Sequence, residues 1–391
     1  MYLNQLIGQG GDIVSWLVWL IFFMVFFMFY PRIMLSQIMW KLEGSAKRLE
    51  LLSTKSKKYL LSEISKKPTN VVKDSVNRFF EFFVIEPVSL DPYGIIKKVD
   101  HLVKNEKARF RYFTEQVAPH MNEERKANIQ MGFAGGIQLH MIAKIVRHYV
   151  EMIKKTKSYQ IAMIIQMQLP LIERIAKAMY EGTKSLARGE PIGDGIGPWI
   201  VANLSGDARQ SEIEEGIILS KVDLEGRHAF LLRARGPGGR IGYPGKAVER
   251  VMKKHKIARI ITIDAAAKLE GEETGSIAEG VGVAMGGPGV ERSYIENAAL
   301  TKDLPMDSIV VKMSAEEAIQ PMRKKMIESL PLVKESIKRS LSMAKKGDSV
   351  IIVGVGNTSG IGTQKADADN VAKWVNNYEK KLKAKKKRKK D

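Results

Sequence analysis

Residues 258–268 read ARIITIDAAAK, and the run through Asp264 decides the fold. Four apolar or β-branched residues in a row, Ile260 to Ile263, are too few for a helix face and lack the alternation of a half-buried strand. They describe a strand buried on both faces, which is the habit of a parallel sheet covered by helices. Similar runs recur on both sides of it: IILSKV (217–222), HAFLLRA (228–234), SIVVKM (308–313) and SVIIVGV (349–355). Helix patterns at 196–206, 244–255, 291–300, 315–328 and 330–346 fill the gaps between them. Strand and helix in alternation predict an α/β domain over 189–375, a mostly parallel sheet with helices on both faces. In such sheets ligands collect at the carboxyl ends of the strands.

Upstream of Gly189 the pattern is helical almost throughout. Pro68 interrupts it, and Pro87 with Asp91-Pro92 marks a loop. Helices are expected at 94–105, 108–120, 122–153 and 157–187, forming a helical region over 32–188. Before that, Ile13 to Tyr30 reads IVSWLVWLIFFMVFFMFY, eighteen residues without charge, Gly or Pro. At 1.5 Å per residue this run reaches roughly 27 Å, close to the hydrocarbon thickness of a bilayer. Trp16, Trp19 and Tyr30 suit the two interfaces, and Pro31 closes a transmembrane helix over 13–31. The segment before it carries only Asp12, so it lacks the basic n-region of a secretory signal. Arg32, Lys41, Lys47 and Arg48 follow the span, which puts residues 1–12 outside and the body in the cytoplasm of a single-pass cell-membrane protein.

The net charge of +20 is uneven, with nine basic residues packed into Lys380–Lys390 (KKLKAKKKRKK). Such a run is expected to be disordered over 376–391, and to contact anionic lipid headgroups or RNA. It holds no aromatic to stack on a base. The chain has no cysteine, which excludes disulfides, thiolate metal sites and a cysteine nucleophile. His101, His120, His140 and His148 lack the spacing of a zinc hydrolase, and no metal site is expected. The helical region leaves room for homo-oligomers.

Three glycine-rich loops are the candidate site. GEPIGDGIGP (189–198) brackets Asp194 between Gly193 and Gly195. The second loop follows Asp264 and includes Gly286, Gly287 and Gly289. The third, VGVGNTSGIG (353–362), contributes Gly354, Gly356 and Asn357. Glycines there permit positive φ and let main-chain amides converge on an anion or oxyanion. Gly354 and Gly356 are followed by a third glycine only at Gly360, so the dinucleotide fingerprint is not met, and no phosphate-binding Gly-Lys-Ser/Thr occurs. Asp194 and Asp264 are the expected acid–base pair: two carboxylates brought close titrate apart, one as acid and one as base. The plain alternative is that each caps a helix or tightens a turn.

GDGIGP, IDAAAKLEGEETGSIAEGVGVAMGGPGVE and VGVGNTSGIG, with the N-terminal span, resemble an archaeal family catalogued as domain of unknown function 1512, over nearly the whole chain. Residues 189–362 are more distantly similar to the hydrogenase maturation endopeptidases and the spore germination protease. That resemblance implies proteolysis by Asp194 and Asp264, directly or through a metal, with His228 or His255 the only histidines free to replace that group's ligand. The strand and GVGN loop that open those proteases come last here, as a circular permutation would place them. The reading is therefore a membrane-anchored hydrolase, with a peptidase as its finer form. A non-enzymatic tether for an acidic or RNA-containing partner and a small-ligand sensor are the alternatives.

Overall fold

The computed structural model describes residues 3–87 and 94–388, so the loop expected at Asp91-Pro92 and the last two residues of the basic run, with Asp391, lie outside it. Its helical part comprises α1 (Leu3–Ile64), α2 (Asn70–Phe79), α3 (Ile95–Val117), α4 (Glu123–Thr156) and α5 (Tyr159–Arg188). The helix that carries the apolar run begins before it, at Leu3, and does not stop at Pro31 but continues to Ile64. Beyond the run, Ile38, Leu42, Ala46 and Leu49 are buried at helical spacing, so packing carries the helix onward. The two helices expected at 94–105 and 108–120 are one, α3.

The described chain forms two compact units. The first holds residues up to Ser53 together with Leu139–Ala176. In it, Arg147 bridges Glu43 and Glu50 of α1 at 2.9 and 2.6 Å, and Arg48 reaches Glu173 of α5. The second unit holds Thr54–Gln138 and everything from Lys177. Its helical layer is knitted by small residues. Gly132 and Gly136 of α4 leave room for Leu60 of α1, and a Cβ at Gly135 would meet Thr183 of α5 at 2.8 Å. Phe79, Phe113 and Phe133 stack in the same layer.

After α5, a 3₁₀ turn at Gly193–Gly195 leads into α6 (Ile196–Ser205), and the sheet begins. Its strands are β1 (Gln210–Glu214), β2 (Ile217–Leu224), β3 (Arg227–Ala234), β4 (Ile257–Ala267), β5 (Ile277–Val281), β6 (Met306–Met313) and β7 (Ser349–Gly354). The spatial order is β1-β2-β3-β7-β4-β6-β5. The four central strands run parallel; β1 and β2 join one side antiparallel, and β5 the other. The sheet is thus mixed, parallel only at its centre. The antiparallel edges were not expected, because QSEIE and IAEGV are polar, short or glycine-bearing.

Alternation along each central strand sends side chains to two cores. Leu231, Ile261, Ile263, Val350 and Ile352 face α6 together with α11 (Leu330–Ser342) and α12 (Lys365–Lys387). Phe230, Leu232, Ile260, Ile351 and Val353 face α7 (Pro244–Lys254) and α8 (Val290–Leu300). The helix expected at 315–328 is two short ones, α9 (Ala315–Ile319) and α10 (Lys324–Ile327), parted by Pro321. Residues 376–387, expected as part of a disordered tail, continue α12. Ala368, Val371 and Val375 anchor that helix in the core, Arg323 holds Glu379 at 2.6 Å, and Lys and Ala are good helix formers.

Gly197, in the first turn of α6, fixes how the helix meets the sheet: a Cβ there would lie 2.3 Å from the Val355 carbonyl and 2.4 Å from that of Ile263. Gly197→Ala should cost at least about 2 kcal/mol in denaturant unfolding, since backbone on both sides must move. Gly286→Ala, with nothing within 4 Å of the added atom, should leave the unfolding midpoint within about 0.5 kcal/mol of wild type.

Candidate functional site

The carboxyl ends of β4 and β7 meet the N-terminus of α6, and there the two aspartates come together. Asp264 sits near the end of β4, beside Val310 of β6. By alternation it lies on the same face as Ile260 and Thr262, toward α7 and α8. Thr262 and its neighbour Ser308, 3.1 Å apart, clasp the chain returning from β5. Both hydroxyls accept from the Ala284 amide, and Ser308 donates to the Gly282 carbonyl. That clasp carries the Gly286 amide to Asp264, whose carboxylate accepts from it at 3.3 Å and from the Ala265 amide at 2.7 Å.

Asp194 belongs to the 3₁₀ turn before α6. Its carboxylate accepts from the Asn357 amide at 2.9 Å, in the loop that leaves β7. Gly356, with φ of +130°, lies so close to the Asp194 carbonyl that a Cβ would fall 1.9 Å from it. The last strand thus docks beside Gly193–Gly195, as the permuted reading requires.

Asp264 is only 6% exposed, and its carboxyl is pushed up to about 8, first by burial and then by the charge of Asp194. Asp194, half-buried, is raised by burial, an effect the Asn357 amide partly offsets. Burial therefore favours the protonated form of both carboxyls, and charge on either one adds to the cost of ionising the other.

The glycines divide into two kinds. Gly193, Gly195, Gly354 and Gly356 are packing residues, each with backbone within 3 Å of the position a Cβ would take: Glu317, Asn357, Gly197 and Asp194 respectively. Gly286, Gly287 and Gly289 are exposed, with nothing within 4 Å. Gly287 and Gly289 hold positive φ of +87° and +80°, and Gly289 caps α8. The amides of Gly286 and Asn357 are spent on the two carboxylates instead of converging on a free anion site.

His228 and His255 stand at the other edge of the sheet. His228 opens β3 opposite Ser349 at the start of β7, and His255 ends α7 against the Phe230 ring at 4.5 Å. Parallel strands carry their first residues away from Asp264 by their own length, so neither histidine can join the aspartates as a ligand. Among the described residues no cluster of three or more His, Asp or Glu is arranged to hold a metal.

The loop RGPGGR (235–240) escaped the sequence reading, although it is a glycine-rich loop directly after a strand. Its carbonyls at Gly238 and Arg240 receive the Thr358 hydroxyl and amide, its Pro237 carbonyl takes the Gly360 amide, and its Gly239 amide donates to Asn128 of α4. Ser359 donates to the Glu190 carbonyl at 3.0 Å. Asn357, Thr358 and Ser359 are therefore a buried clasp joining three loops behind the aspartates. Thr262 and Ser308 were also missed; their only signal was a polar residue inside an apolar strand.

The fold and site define a class: a mixed α/β domain with paired acids at the carboxyl edge of its central parallel strands, preceded by a helical part. The chain belongs to the DUF1512 family. The model for its N-terminal domain, described as a protein of unknown function, matches residues 16–189, and the model for its C-terminal domain of unknown function matches 192–362. No curated protein and no solved structure matches the chain.

The raised carboxyl has a consequence for stability. In the unfolded chain Asp264 ionises near its ordinary value of 3.8, whereas the folded chain keeps the proton to about 8. Between those values the folded state binds the extra proton, so stability falls as pH rises, by up to several kcal/mol in total. Asp264→Asn should abolish that loss. Melting curves from pH 5 to 9 should show the variant gaining on wild type with each unit, the gap levelling above pH 8; a constant gap would contradict the raised carboxyl.

Proposed function

We propose that this protein is anchored in the cell membrane by α1, with its body in the cytoplasm, and that Asp194 and Asp264 form an acid–base pair for hydrolysis, a peptide bond being the bond attacked. Anchoring is supported by a helix whose most apolar eighteen-residue window has a mean hydropathy of 2.0 and no buried residue. The cytoplasmic side is supported by Arg32, Lys41, Lys47 and Arg48 after the span and their absence before it.

The observation that carries the chemical reading is the burial of Asp264 with Asp194 beside it, an arrangement that pushes the Asp264 carboxyl up to about 8. A buried acid pair without a cation is costly, and such arrangements concentrate at sites that move protons. In this reading Asp194 takes a proton from the attacking water while the water oxygen bonds to the carbonyl carbon. Asp264 gives its proton to the departing amine as the carbon–nitrogen bond breaks. The proton on Asp194 then returns to Asp264 and the pair is reset. The choice of a peptide bond rests on the similarity of GDGIGP and IITIDAAAK to the maturation and germination proteases.

The test is cleavage of a mixed peptide pool by the full chain in lipid nanodiscs, followed by mass spectrometry. Asp264→Asn and Asp194→Asn should each lower the rate by about 10²-fold or more, as for removal of a general acid or base. Wild-type activity should decline as pH rises through 8, where Asp264 loses its proton. Cleavage that survives both substitutions would end the proposal.

A further inference from the structure

Within the first compact unit, ion pairs fix the level at which α5 and α4 stand along α1. Arg48 holds Glu173 at 2.5 Å, and Lys154 holds Glu43 at 3.0 Å. Counting back along α5 from Glu173 brings its first residue, Tyr159, about level with Met34 of α1, roughly 6 Å beyond Tyr30 at 1.5 Å per residue. On the α4 side, Thr156 follows Lys154 by two residues and falls about level with Lys41, roughly 16 Å beyond Tyr30. The turn between α4 and α5 therefore stands roughly 6 to 16 Å beyond Tyr30, from the headgroup layer to its outer face if the apolar run spans the bilayer.

The composition of that end is one-sided. No Asp or Glu occurs between Asp12 and Glu43, or between Glu151 and Glu173. The same stretches contain Arg32, Lys41, Lys155 and Lys157, of which Lys155 and Lys157 are exposed at the turn. Large apolar side chains stand open beside them: Trp40 is 80% exposed and Ile164 60%, with Ile33 and Met163 also in the open. Exposed apolar residues interleaved with cations and no anions fit the boundary of a membrane rich in anionic lipid. A second copy of the chain fits less well, because a two-fold contact would set the same cations against each other.

We infer that the α4–α5 turn is a second membrane contact, seating Lys155, Lys157 and Ile164 in the headgroup layer of anionic lipid beside the anchor. The inference rests on the reading of α1 as a membrane span. It gives the body two attachments to the bilayer, which fixes its tilt where a single helix would let it swing.

The natural chain has no cysteine, so single-cysteine variants can carry an environment-sensitive fluorophore without background. The full chain is placed in nanodiscs with and without anionic lipid, with labels at Gln160→Cys, Ile164→Cys, Leu51→Cys and Phe23→Cys. The expected result is blue-shifted emission, quenched by headgroup-labelled lipid, from the first two in anionic discs only. Leu51→Cys should stay water-like and Phe23→Cys should be shielded in every disc. Each of Lys155→Gln and Lys157→Gln should lower the docked-to-free ratio by about fivefold. Water-like emission at Gln160→Cys and Ile164→Cys, with Phe23→Cys shielded, overturns the contact and leaves the anchor standing. A water-like Phe23→Cys removes the anchor and the contact together. Shielding at Ile164→Cys that ignores lipid charge, with cross-links between copies through that cysteine, assigns the face to a second chain and overturns the inference.

Discussion

Everything in the sheet domain depends on the insertion of β7, the last strand in the chain, between β3 and β4. Without it there are two separate sheets, β1-β2-β3 and β4-β6-β5, whose inner edges carry unpaired amides and carbonyls. Its four core residues, Val350 to Val353, are fully buried and alternate between the two helical layers. At about 1.5–3 kcal/mol for each apolar side chain, that strand contributes on the order of 10 kcal/mol of burial. The loop that leaves it brings the Asn357 amide to Asp194 and the Thr358 hydroxyl to RGPGGR. The acidic pair is therefore assembled only when the longest-range pairing of the domain has formed.

The way the domain treats its other buried acids shows what is unusual about this pair. Asp307, on the neighbouring β6, has Arg259 at 2.5 Å and the Ser340 hydroxyl on the same oxygen. Asp100, on α3, is drawn below its ordinary value by Lys104 and Lys246 despite burial. Asp194 and Asp264 have amides and each other, and both are raised. A lysine or arginine beside the Asp264 carboxyl would have relieved the strain, as Arg259 does for Asp307. The absence of one, among the described residues, leaves the proton as the only neutralising partner. A caps-and-turns role accounts poorly for that, because neither function requires two carboxylates close enough to raise one another.

The parallel centre of the sheet was legible because burial on both faces leaves a run no polar position to signal with: IITI and VIIV can hardly be anything else. The edges were not, since β1 and β5 are half solvated and their residues, Glu212, Glu214, Glu279 and Gly280, read as loop. The two aspartates were legible as glycine-flanked acids at strand or helix ends. The meaning of the glycines was not. A glycine demanded by a neighbouring carbonyl and a glycine facing open solvent have the same letter, and only distances separate Gly356 from Gly287. The end of α12 was misjudged because charge repulsion was weighed without Val371, Val375 and the Arg323–Glu379 pair, which hold the helix from its start.

That separation of the glycines also decides from which side the pair can be reached. On the α6 side, Gly193, Gly195, Gly197, Gly354 and Gly356 are each closed by backbone at under 3 Å, so no chain or ligand passes there. On the α8 side, Gly286, Gly287 and Gly289 leave their Cβ directions empty, and Asp264 faces the same layer through the alternation of β4. Gly286 already donates to Asp264, so the next amides outward, at Gly287 and Gly289, are the ones placed to meet whatever arrives. Positive φ at both turns the backbone in a way that side chains rarely allow, and Pro288 between them, which has no amide hydrogen, leaves only the two glycine N–H groups in that turn. In the proposed reaction a substrate would therefore approach over the loop that joins β5 to α8, the side that backbone at these glycines leaves open.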